Sequence, residues 1–297
     1  MKKSKSENVA LVKKYEKRSQ FRDVMQRVLK NKGAFIGLCL FAIVLLCFLY
    51  GLIFIDYREA TVGVVSDRLK GPSAQYPFGT DNMGRDLLSR IFYGARFSLA
   101  IGFGGSAIAA TIGISLGCIS GYYGGAYDMI IMRLTDVITS IPGILLGMVI
   151  ISTLGSSLPN LIITVGVTSI PMYIRMTRAS IMSWRNQEFV EAARAIGLPS
   201  LRIVFRQVLP NGLSPVIISF AMNLGGMILV SSGLSFLGLG IQAPLPEWGT
   251  LISGGRTYMR NAPWLLNFPG IFIIATVLAF NMLGDGLRDA IDPKLKR

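Results

Sequence analysis

The chain has 297 residues, 52% of them hydrophobic and only 15% charged, with a formal net charge of +14. A water-soluble domain of this size needs more charged surface, and the apolar residues come in blocks instead of at amphipathic spacing, which excludes a soluble enzyme or binding module. Blocks of about 18 or more nearly uncharged residues read as bilayer-spanning helices, because about 20 residues at 1.5 Å each cover a hydrocarbon core of roughly 30 Å. The positive charge sits mainly in a short tail and in alternate loops, a topology signal and not a nucleic-acid patch. Histidine is absent, which removes the commonest general base and metal ligand together. Cys39, Cys47 and Cys118 lie in apolar runs and form neither a disulfide framework nor a metal-ligand spacing.

In chain order, residues 1–33 form a basic tail. Phe21, Val24, Met25, Val28 and Leu29 fall on one helical face, as expected of a helix lying among lipid headgroups. Six spans are predicted, at 34–55, 97–120, 137–154, 161–178, 215–238 and 267–287. The expected fold class is therefore an all-α integral membrane protein with six transmembrane helices. The first span is too long and too far from residue 1 to read as a cleaved signal peptide. Most of the 30 Lys and Arg fall in the tail, in the second and fourth loops and at the C-terminus. The positive-inside rule then places both ends and the 184–211 loop in the cytoplasm. Residues 56–96 and 241–266 become outer loops of a core running from 97 to 288, and 289–297 a second cytoplasmic tail.

Within the second span, Gly105, Ala109, Gly113, Gly117, Gly121 and Gly125 recur every fourth residue. Such a strip of small side chains lets another helix backbone approach closely. Pro142, Pro171 and Pro215 are assigned to span ends, where a missing backbone hydrogen bond is tolerated. Asn223 and Asn281 are the notable polar residues at depth. Either they bond across helices or they line a pathway.

The 184–211 loop is the most informative segment. Residues 187–196 favour a helix, with acids early and Arg194 late, matching the helix dipole. Gly197 suits a left-handed stop and Pro199 prevents direct resumption. A second short helix then leads to Pro210. Ala192 and Ala193 are expected to leave a low surface that fits a groove.

Glu191, Ala192, Ala193, Gly197, Leu209 and Pro210 occupy the fixed positions of the signature Glu-Ala-Ala, three residues, Gly, nine residues, a short aliphatic pair and Leu-Pro. In this respect the chain resembles ABC transporter permeases. Gln207 departs from the His common in close relatives. Further stretches are similar to the DppC/OppC-like subunits of the dipeptide/oligopeptide/nickel binding-protein-dependent family: 77–86 (PFGTDNMGRD), Glu247-Trp248-Gly249, Ala262-Pro263-Trp264, Phe268-Pro269-Gly270 and 283–293 (LGDGLRDAIDP).

The resemblance implies a type I importer permease fold with a cytoplasmic coupling helix, in a bacterial cytoplasmic membrane. It also implies a second homologous permease subunit, two ABC ATPase subunits and an extracytoplasmic solute-binding protein as partners, beside membrane lipid. This chain carries no phosphate-binding loop of its own, so no cofactor is expected here, and ATP and Mg belong to the partner ATPase. The cargo is expected to be di- or oligopeptides; nickel or another small solute is the alternative. Asp81, Arg85, Asp86, Glu247 and Trp248 in the outer loops are candidates for binding-protein docking; for Asp81, Arg85 and Asp86 the alternative is satisfying the loop backbone through local salt bridges. A secondary transporter is the rival class, but it usually carries intramembrane ionisable groups.

Overall fold

The computed structural model describes residues 28–291, and among them every regular element is helical. Helix α1 (Lys32–Ile53) begins at Asn31, whose Oδ1 accepts from the Gly33 and Ala34 N–H groups. Its Nδ2 donates to Asp289 at 2.8 Å, which ties the start of α1 to the end of the last helix. The first long connection contains α2 (Tyr57–Thr61) and delivers the chain to α3 (Leu87–Tyr123), a helix of 37 residues. Then come α4 (Gly125–Thr139), α5 (Gly143–Leu154) and α6 (Leu158–Trp184). The 184–211 loop holds α7 (Glu188–Ala195), α8 (Ser200–Ile203), a π turn (Val204–Val208) and α9 (Leu209–Gly212). Helix α10 (Ser214–Phe236), α11 (Trp248–Gly255) and α12 (Trp264–Ile291) complete the chain.

The seam between α3 and α6 organises the bundle. A Cβ added at Gly105 would lie 2.7 Å from Val165 Cγ2, one at Gly117 2.6 Å from Thr177 Cβ, and one at Gly121 2.8 Å from the Arg178 carbonyl. At Gly113 it would overlap Tyr173. Ala109 is fully buried in the same line. With side chains absent, the two backbones close to contact along four turns, and dispersion supplies the attraction that lipid cannot. Similar small-residue contacts join α1 to α12 at Gly37 and Gly286, and α10 to α12 at Gly225. Helix α1 stays peripheral, with Leu46, Ile53 and Phe54 more than 60% exposed.

Four expectations are corrected. Helices α1, α3, α10 and α12 are long and apolar enough to cross a bilayer, but 137–154 is not one span. Helices α4 and α5 meet at 86°, because Pro142 cannot continue α4 and instead stands before the first residue of α5. Together they count as one broken span or a re-entrant turn. Helix α6 is long enough to cross, about 40 Å at 1.5 Å per residue, but carries Arg175 and Arg178.

Pro171 lies in the middle of α6 instead of at its end. Gly125 does not extend the small-residue strip, because Gly124 and Gly125 both take positive φ (69° and 55°) and turn the chain into α4. Finally, α3 starts ten residues before its apolar block, at Asp86, whose carboxylate caps Ser89 N at 2.8 Å. The tail helix expected before residue 28 lies outside the described residues.

Gly113→Val should lower the unfolding midpoint of the detergent-solubilised protein by forcing α3 from α6, a cost of about 1–3 kcal/mol. Gly270→Ala, where an added Cβ meets nothing within 4 Å, should leave the midpoint unchanged in the same thermal assay.

Candidate coupling site

The 184–211 loop is a packed unit, not a flexible connector. Glu188 and Glu191 sit in the first turn of α7 and Arg194 in the last, so the charges oppose the helix dipole as the sequence suggests. Gly197 has φ 76°. Its N–H bonds to the Arg194 carbonyl at 2.9 Å, and the Leu198 N–H to the Ala193 carbonyl at 3.1 Å. These two bonds form a Schellman stop, which requires a residue free of Cβ strain at Gly197.

Pro210 accounts for the π turn. It has no N–H to donate, and its ring would press on the carbonyl four residues back. The chain widens instead, and the Leu209 N–H reaches Val204 O. Asn211 Nδ2 donates to the Gln207 carbonyl at 2.6 Å.

The inner side of the loop is apolar. Val190, Ala193, Ile203, Val204 and Val208 pack with Cys118 and Tyr122 of α3 and Ile181 of α6, with Leu198 and Leu209 against their edge. Arg194 stacks over the Tyr122 ring at 5.4 Å. Arg185 Nη1 donates to the Gly121 carbonyl at 2.9 Å, and Ser180 Oγ to the Gly212 carbonyl at 2.8 Å. Arg178 is bidentate on Asp128 at 2.5 and 2.7 Å, fastening α4 to α6 beside the loop. The outer side exposes Glu188, Phe189, Glu191, Ala192, Ala195 and Ile196, with Ile196 75% exposed.

This division corrects one expectation. Ala192 faces solvent, but Ala193 is 3% exposed and faces the chain's own core. Glu191 and Ala192 lie on the free face; Ala193 and Leu209 hold the loop to the bundle, Gly197 sets its turn, and Pro210 is exposed at the π turn. Sequence reading missed the clamps from Arg178, Arg185 and Arg194. It also missed the apolar underside, whose signal was present as the aliphatic positions 190, 193, 203, 204 and 208 inside a polar loop.

The outer candidates also face inward. Arg85 Nε meets Asp81 at 2.7 Å with both side chains 9% exposed. Asp81 Oδ1 accepts from the Met83 and Arg85 N–H groups. Arg90, which sequence reading did not single out, lies 3.5 Å from Asp81 and donates to the Ala60 carbonyl. Asp86 caps α3.

Glu247 is fully buried and caps α11 by accepting from Gly249 and Thr250 N–H at 3.0 and 2.9 Å. Burial pushes its carboxyl up from the ordinary range against the pull of those N–H groups. Trp248, also fully buried, donates its indole N–H to the Ile91 carbonyl at 2.9 Å. These five residues hold the two connections together, and the burial of Asp81, Arg85, Glu247 and Trp248 leaves their side chains little surface for docking. Asp67, on the same loop, is kept below the usual carboxylate range by hydrogen bonds from Lys70 and Tyr76. Between these segments lies a cavity of about 240 Å³, lined by Asp81, Arg85, Arg90, Leu245 and Leu251 among others.

In the bundle, Asn223 Nδ2 lies 3.5 Å from the Tyr173 hydroxyl, at the limit of a cross-helix hydrogen bond. Asn281 is half-buried on α12.

Residues 113–297 match the family described as the binding-protein-dependent transport system inner membrane component. The chain belongs to that family. Residues 19–72 match the N-terminal TM domain of oligopeptide transport permease C. Among curated proteins, the dipeptide transport system permease protein DppC of Alkalihalophilus pseudofirmus is 43% identical over 278 residues, 94% of this chain and 91% of that one. DppC of Haemophilus influenzae is 42% identical, covering 90% and 92%. A glutathione transport system permease protein GsiD of Escherichia coli O6:K15:H31 is 45% identical over 76% of this chain and 75% of its own.

Among solved structures, the MetNI methionine ABC transporter in an inward-facing conformation aligns with a TM-score of 0.56 at 20% identity, covering 68% of this chain and 97% of that chain. At that identity it supports the fold alone. The permease assignment thus agrees with the loop signature, and the ABC importer permease fold with the helical architecture.

Ala193→Trp should destabilise the protein by about 1–3 kcal/mol through overpacking, while Ala192→Trp leaves thermal stability unchanged; paired melting curves check this. Asp81→Ala leaves Arg85 buried without its partner and should cost about 3–5 kcal/mol. A wild-type melting curve for that variant would restore Asp81 as a surface residue.

Proposed function

We propose that the chain forms half of the translocation pathway of an ATP-driven importer of di- or oligopeptides in a bacterial cytoplasmic membrane, with both termini inside. A second homologous permease completes the pathway. Two ATPases bind ATP and Mg, and an extracytoplasmic binding protein delivers the solute. The cargo reading rests on relatives named for dipeptides, di/tripeptides and glutathione, which share a peptide backbone.

The observation that carries the mechanism is the two-sidedness of α7. Its inner face is fixed to α3 and α6 through Val190 and Ala193, and its outer face leaves Glu188, Glu191, Ala192 and Ile196 uncovered. A helix anchored on one side transmits a push on the other as a rigid body. When the ATPase dimer closes, α7 is displaced and drags the end of α6 together with α9, which the Ser180–Gly212 bond fastens to it and which leads directly into α10. Pro171 interrupts the α6 hydrogen-bond ladder above that point, so the half of α6 after it can tilt as one body with the part of α3 on which Gly113, Gly117 and Gly121 seat it. Alternating access follows from that tilt.

The test is uptake by the reconstituted complex. Ala192→Trp should insert and melt normally yet lose at least about tenfold in ATP-driven dipeptide uptake, equivalent to about 1.4 kcal/mol of lost coupling. Normal uptake by that variant would sink the mechanism. Labelled nickel accumulating while labelled dipeptide does not would overturn the cargo.

A further inference from the structure

The second half of the cytoplasmic loop carries surface that α7 does not explain. Leu201 and Phe205, one turn apart, are 64% and 63% exposed. They stand beside Ile119 and Tyr123 of α3, themselves 38% and 47% exposed. Between the two walls runs a groove of about 200 Å³, lined by Ile114, Cys118 and Tyr123 on one side and by Leu201, Val204 and Phe205 on the other. Its depth follows from the predicted span: the apolar stretch 97–120 of α3 ends beside the groove, and with that stretch in the bilayer the groove lies where acyl chains meet headgroups.

Charge separates the two halves of the loop. The free face of α7 bears Glu188 and Glu191, whereas 198–213 contains no acid, and its Arg202 and Arg206 are both exposed. Each arginine directly follows an exposed apolar residue, at i and i+4, so the segment presents an apolar stripe with a cationic stripe beside it. An amphipathic segment of this kind at the membrane boundary buries its apolar stripe among chains and extends guanidinium groups to phosphate. The cytoplasmic leaflet is the negative one.

We infer that this groove is a binding site for an anionic phospholipid, with an acyl chain against Leu201 and Phe205 and the phosphate on Arg202 and Arg206. The lipid holds the rear of the loop at the membrane plane while α7 is pushed. The inference rests on the cytoplasmic placement proposed above, which ATPase co-purification checks separately.

The experiment uses the assembled complex, its ATPase content verified, in nanodiscs. Phe205→Trp adds an emitter at the groove, read against the parent protein; Leu201→Trp on the same face serves if the first variant fails to assemble. Chain-brominated phosphatidylglycerol diluted into phosphatidylcholine should quench the added emission more than brominated phosphatidylcholine diluted into phosphatidylglycerol. Arg202→Gln with Arg206→Gln should abolish that difference and leave chain quenching in place. Equal quenching by both lipids before the arginines are removed, no quenching by either, or quenching only after the ATPases are stripped away would each overturn the site. The last outcome would hand the surface to the ATPase.

Discussion

The close approach of α3 and α6 is the constraint on which the rest depends. Four glycines and Ala109 remove the side chains that would hold the two backbones apart. In lipid no hydrophobic force draws helices together, so contact area at short range must do so. That seam runs to the C-terminal ends of α3 and α6, where it brings Cys118, Tyr122 and Ile181 into one patch. The loop after α6 can be a solid body only because that patch exists to receive Val190, Ala193 and Val208. Spread the helices, and the loop loses its seat.

The two ends of the bundle solve different problems. At the end that carries the 184–211 loop, aliphatic side chains are buried underneath while Glu191 and Ala192 are exposed on top. At the opposite end, long connections lie over the helix tips, and their charges point inward. Asp81 gathers Arg85 and Arg90, and Glu247 closes α11 against Ser98 and two backbone amides. Buried charge of this kind is costly unless fully paired, and it fixes one loop conformation in preference to others. The outer surface that remains free carries Val62, Val65 and Met83, each more than half exposed.

Much of the arrangement was legible beforehand. Four of the spans appear as single apolar helices, because hydropathy is a property of the segment and needs no partner. The Schellman stop at Gly197 was legible because only a residue without Cβ enters that conformation cheaply. The break at Pro142 was not, since apolar residues on both sides make a bent pair look continuous to a hydropathy window. Arg178 and Asp128 gave no local sign of each other, being 50 residues apart. Arg90 was hidden because its partner, Asp81, belongs to another element.

By itself, then, the amino-acid order determined membrane residence, the polar loop with its helix, stop and Leu-Pro return, and the small-residue strip, for each depends on neighbours within a few turns. Tertiary structure alone decided which face of each element is used. Ala192 and Ala193 are adjacent and chemically identical, yet one meets water and the other the core. A helix rotates successive side chains by about 100°, and only the position of the patch beneath it selects which of them turns inward.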